Sequence, residues 1–146
     1  MITLVATFLL VWIFSFFFHE VCHYSTAKLL GGKPKISVWF YKDIIPSMRC
    51  LYSNNLQDKW VVDFAGGGFT GLIMLIFATS LFGILNCRFF ISLFIIGFLQ
   101  IVYGLFEMAY INRLDRDAYM KYHYGLYAIM IVVGIGLLWN EIWSCV

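Results

Sequence analysis

The chain has 146 residues, of which 62% are hydrophobic, 20% aromatic and only 12% charged, with a net charge of +2 and a mean hydropathy of +0.86. No soluble domain of this size can cover so much apolar surface with so few charges, so the composition specifies an integral membrane protein. The small net charge gives no electrostatic footprint for nucleic acid, and four cysteines without Cys-x-x-Cys spacing make neither a disulfide framework nor a thiolate zinc site.

The first predicted element is an uncharged apolar run from Ile2 to Phe18. No Lys or Arg precedes it and no small-x-small cleavage pattern follows, so it reads as a retained first span and not as a signal peptide. Its helix is expected to continue through His23 toward Leu30, where Gly31-Gly32 stops it and Pro34 keeps it stopped. The end of this run reads His19-Glu20-Val21-Cys22-His23, a His-Glu-x-x-His pattern. Residues four apart share one helix face, so the two imidazoles can hold one Zn²⁺ while Glu20 stands beside them as a proton acceptor. A Glu and two His in or at the edge of a bilayer are functional by default; the plainer alternative is polar groups wetted by headgroup water. At 1.5 Å per residue, Met1 to His19 spans about 27 Å, which puts the motif near the far face of the membrane.

Residues 35–52 change character. Ile36 to Tyr41 is β-branched and aromatic, Met48 to Tyr52 can pair with it, and Lys42 to Ser47 has turn composition, which predicts a short β-hairpin at the membrane surface. An amphipathic surface loop is the alternative. The second span is expected over about 60–85, opened by Trp60 at the interface. It contains Ala65-Gly66-Gly67-Gly68 and Gly71, small residues that let another backbone approach closely. The third span, about 89–111, carries Gln100 and Glu107, and an acid in the last turns of a membrane helix should face other helices or a wet cavity. A charged cluster from Asn112 to Ala118 leads into a fourth span at about 118–140. The expectation is one all-α membrane domain covering residues 1–146, with four transmembrane helices and the hairpin between the first two.

The Lys and Arg residues set an orientation. Lys28, Lys33, Lys35, Lys42, Arg49, Lys59, Arg113, Arg116 and Lys121 fall on one side and only Arg88 on the other, which places both termini outside and the two charged loops in the cytoplasm. The motif and the acidic pair Asp115/Asp117 then share one face at similar depth. A catalytic zinc takes three protein ligands and leaves a position for water, so one of these Asp residues is a candidate third ligand. Cys87 and Cys145 fall together on the outer side, as a pair or as two free thiols.

In this order of features the chain resembles the site-2 protease class of intramembrane zinc metallopeptidases, peptidase family M50, over roughly Phe16 to Tyr119. The resemblance rests on His19-Glu20-Val21-Cys22-His23, the Gly31-Gly32 turn with the β-rich segment after it, the glycine-rich helix at Ala65 to Gly68, and a Leu-Asp motif. It implies a multi-pass protein, of the plasma membrane, with Zn²⁺ held by His19, His23 and an Asp, Glu20 as general base, and cleavage of a membrane-protein or peptide substrate near the cytoplasmic face. The family's last motif has Pro and Gly that are missing here. Leu114-Asp115 keeps its Leu-Asp pair, with Glu107 where the family has Asn; Asp117-Ala118 keeps a small residue after the ligand and is slightly preferred. Cys22 stands where the family has Gly. Without room for a PDZ or CBS domain, any regulation is expected from a membrane partner. The alternative function is a zinc-binding membrane protein without proteolysis, a pseudoenzyme or a subunit of a membrane complex.

Overall fold

The structure, a computed structural model, describes the backbone of residues 2–41, 45–52, 58–110 and 116–141, and the side chains of residues 5–38, 50–52, 58–110, 118, 121–122 and 124–136. Among the described residues four helices, α1 (Ile2–Leu29), α2 (Lys59–Ser80), α3 (Cys87–Tyr110) and α4 (Arg116–Glu141), carry one hairpin, β1 (Lys35–Tyr41) and β2 (Ile45–Leu51), between α1 and α2. Three stretches are long and apolar enough to cross a bilayer: Val5–Leu29, Lys59–Ser80 and Cys87–Tyr110. The apolar part of α4 among the described residues is shorter, Tyr124–Gly136, so three of the four expected spans meet the length requirement.

α1 runs unbroken through the His-Glu-x-x-His stretch, as its uninterrupted apolar sequence predicts. It ends in a Schellman motif. The Gly32 N–H donates to the Ala27 carbonyl at 2.9 Å and the Gly31 N–H to the Lys28 carbonyl at 3.1 Å, while Gly31 takes φ +79°, open to a residue without Cβ. The hairpin is antiparallel, with register from Lys35 opposite Leu51 to Tyr41 opposite Ile45. Its second strand begins earlier than expected. Ile45, Pro46 and Ser47 belong to β2 and not to the turn, and Pro46 is tolerated because both strands of a two-stranded sheet are edges. The rest of the expected turn, residues 42–44, lies outside the described residues. α2 also stops short of the expected Leu85: the chain turns after Ser80, with Gly83 at φ +86°.

α2 and α3 pack through glycine. A Cβ on Gly67 would run into the backbone of Gln100 and Gly104, and one on Gly97 would lie 3.0 Å from the Gly71 carbonyl oxygen. That is the close backbone approach expected of small residues where the hydrophobic effect between helices is absent. Around this seam Phe8, Trp12, Met74, Ile96, Leu99, Tyr103 and Tyr127 form the core. α4 joins it through Tyr127, whose ring stacks on Phe16 at 4.3 Å and meets Trp12 edge-on at 5.7 Å. The opposite faces are apolar and exposed: Leu10, Ile13, Phe14, Phe17 and Phe98 are each more than half accessible. So much outward apolar surface belongs to a chain solvated by lipid. Cys87, at the start of α3, is disulfide-bonded, and Cys22 and Cys50 are free thiols; Cys145 lies outside the described residues.

Candidate metal centre

His19 and His23 stand one helical turn apart on α1, and both are buried, at 1% and 4% exposure. Each presents Nε2 to the same point, because each Nδ1 is held by an oxygen. His23 Nδ1 lies 2.6 Å from the Val62 carbonyl on α2. A carbonyl only accepts, so Nδ1 carries the proton and Nε2 is left with its lone pair. His19 Nδ1 faces Gln100 Oε1 on α3 at 3.4 Å, and the same Gln100 amide donates to Ser15 Oγ at 3.0 Å. This is how a ligating histidine is oriented: the second nitrogen is tied to an acceptor and the tautomer is fixed.

The third donor is Glu107. Its Oε2 lies 3.2 Å from His19 Nε2 and 3.5 Å from His23 Nε2, and the two nitrogens are 3.1 Å apart. An ion with bonds of about 2.0–2.1 Å in tetrahedral geometry sets its ligand atoms about 3.3–3.4 Å apart, so the three separations describe one face of such a tetrahedron. Three electron-rich atoms at this spacing are held together by a shared proton or by a cation among them. His19, His23 and Glu107 thus form a possible metal-binding triad.

α2 supplies the space. A Cβ on Gly66 would sit 2.6 Å from His19 Nε2 and closer still to His23 Nε2, in the volume an ion would need. The glycine-rich stretch therefore serves two purposes: Gly67 and Gly71 admit α3, and Gly66 leaves the triad open on one side. Glu20 is buried at 8% exposure, and its carboxylate accepts a hydrogen bond from the Cys50 N–H on β2. The Cys50 thiol is pushed up to about 12, by burial first and by the neighbouring Glu20 carboxylate second. Tyr52, just past β2, lays its ring 6.0 Å from that of His23 and donates its hydroxyl to Asp63 Oδ1 at 2.5 Å. Cys22 accepts from the Thr70 hydroxyl at 3.4 Å, a contact between α1 and α2.

Of the residues singled out from sequence, His19, Glu20 and His23 come together. Asp115 lies outside the described residues, and Asp117 is placed only as backbone on α4, its side chain likewise outside them. Glu107 as a ligand was not expected. The signal for it was present: Ser92, Gln100 and Glu107 are spaced eight and seven apart, two turns each, so the polar groups of α3 share one face, and all three are fully buried. A comparison with protein-family models, curated proteins and solved structures gives no match to this chain.

Proposed function

We propose that this chain is an intramembrane zinc metalloprotease of the site-2 protease type, cutting transmembrane or membrane-proximal peptide bonds near the cytoplasmic face of the plasma membrane. The observation that carries the reading is the convergence of His19 Nε2, His23 Nε2 and Glu107 Oε2 at 3.1–3.5 Å, with Glu20 on the same helix as the two imidazoles. His19, His23 and Glu107 would hold the ion, and a bound zinc supplies Lewis acidity toward water and toward a scissile carbonyl. Glu20 takes the proton from the attacking water and later delivers it to the leaving amine, so the carboxylate is regenerated as the C–N bond breaks. Val62 and Gln100 keep the imidazoles in one tautomer throughout. The apolar walls of α1–α3 exclude bulk water, which strengthens each of these interactions.

The orientation, with both termini outside, is supported by two independent features. The basic residues cluster at the end of the bundle that carries the motif. The disulfide-bonded Cys87 is at the other end of the 24-residue α3, about 36 Å long, and disulfides persist on the oxidising side of a membrane. A fourth crossing by α4 belongs to the same proposal.

The direct test is Glu20→Gln. It should retain about one zinc per chain and lose all cleavage of a model transmembrane substrate; unchanged cleavage removes Glu20 from the base's role. The second reading, zinc binding without turnover, draws on one observation: the Glu20 carboxylate is capped by the Cys50 amide and buried with the triad. Zinc retained by the wild type with no cleavage of any membrane peptide would favour it.

A further inference from the structure

We propose that the β1–β2 hairpin is a lid latched shut over the triad by the Tyr52–Asp63 hydrogen bond, and that it lifts before a substrate reaches Glu20. The inference rests on the metalloprotease reading for its purpose, though not for its geometry. Three contacts close the site from the same side. The Cys50 amide donates to Glu20, Tyr52 covers the His23 ring, and the Tyr52 hydroxyl is anchored on Asp63, itself fully buried and 3.8 Å from Lys59 Nζ. Glu20 therefore gives one of its acceptor lone pairs to a main-chain N–H of this chain. The donor is an amide in an extended strand, the same chemical group that an unwound peptide substrate would present there. β2 is in this sense an occupant of the substrate's place.

The hairpin is also built to leave. It is attached through Gly31, at φ +79° with open space around it, and through Asp58, in the left-handed region at φ 58°. Among the described side chains of the strands, Ile36, Val38 and Leu51 are exposed at 37%, 66% and 49% and Cys50 alone is buried, so these side chains hold the strands to the bundle weakly. The latch, in contrast, is local and polar.

The test reads lid opening through Cys50, which is only 4% exposed when the lid is closed. The full-length protein in detergent is labelled with a maleimide, and modification of Cys50 is followed by mass spectrometry. Tyr52→Phe and Asp63→Ala should each speed Cys50 labelling about 10-fold, the effect of losing one net hydrogen bond. The double variant should label no faster than either single, because both remove the same bond. Tyr110→Phe, on the exposed end of α3, should change nothing. Labelling in both latch variants at the wild-type rate overturns the lid. The measurement needs neither metal nor substrate. Faster labelling with no cleavage by any variant would leave the lid standing and remove the protease, and cleavage with unchanged labelling would do the reverse.

Discussion

Gly66→Ala is the sharpest perturbation the structure offers. The new methyl carbon would lie 2.6 Å from His19 Nε2 and nearer still to His23 Nε2, whereas non-bonded carbon contacts settle at about 3.5–4.0 Å. The overlap with His19 is roughly 1 Å, and the methyl takes the volume in which an ion must stand about 2.0–2.1 Å from both nitrogens. In the backbone the substitution is benign, because Ala is favoured over Gly in a helix interior by about 0.8–1.0 kcal/mol. The expected result is a folded protein without metal. Zinc content after exhaustive dialysis should fall from about one per chain to none, and affinity should drop by more than the 10- to 100-fold typical of losing an outer hydrogen-bond partner. Gly125→Ala on α4, where a Cβ meets nothing within 4 Å, is the control for the chemistry of the substitution. Atomic spectroscopy gives the stoichiometry, and a chromogenic chelator in competition gives the affinity. Full occupancy at wild-type affinity in Gly66→Ala would show that no ion sits among these three donors, and the metal centre as described would be wrong.

Four other outcomes follow from the same geometry. Glu107→Gln should lose zinc while Asp115→Ala and Asp117→Ala keep it; the opposite pattern in metal analysis would return the third ligand to the Asp pair. Gln100→Leu should weaken zinc by about 10- to 100-fold through the freed His19 ring, with a competition titration as the check. Gly104→Leu should separate α2 from α3 and destabilise the bundle by about 1–3 kcal/mol or more, read by thermal unfolding in detergent. Cys50, held near 12 against an unperturbed 9.0, should show thiolate at pH 8 about 1000-fold below the unfolded chain, so alkylation in the folded protein should be slow and rise tenfold per pH unit up to about pH 12.

Much of this arrangement was legible before any coordinates. The uncharged run ending in His19-Glu20-Val21-Cys22-His23 fixed both the helix and the shared face of the imidazoles, since the period of an α-helix leaves no freedom there. The glycines of α2 announced a close approach, and α3 makes it. Gly31-Gly32 ended α1 where expected. Two features escaped for physical reasons. Pro46 and Ser47 read as turn formers, and their place in β2 depends on both strands being edges, a tertiary fact. Glu107 escaped because α3 is apolar on nearly every side, which erases the amphipathic phase that normally shows which way a helix faces. Only its sparse polar residues carry that phase. Asp115 and Asp117 were singled out because the Lys and Arg distribution sets them at the face and depth of the motif, and their side chains lie outside the described residues.

The donor set has a consequence for how the molecule divides. The two imidazoles come from α1, the carboxylate from α3, the aperture at Gly66 and the Val62 carbonyl from α2, and the closing strand from the hairpin, all before residue 111. Through its described side chains α4 reaches the aromatic core, at Tyr127 and beside Phe8, and Tyr127 meets Tyr103, whose ring lies 5.5 Å from that of His19. Among the described residues, the possible triad is thus assembled by three helices and a hairpin.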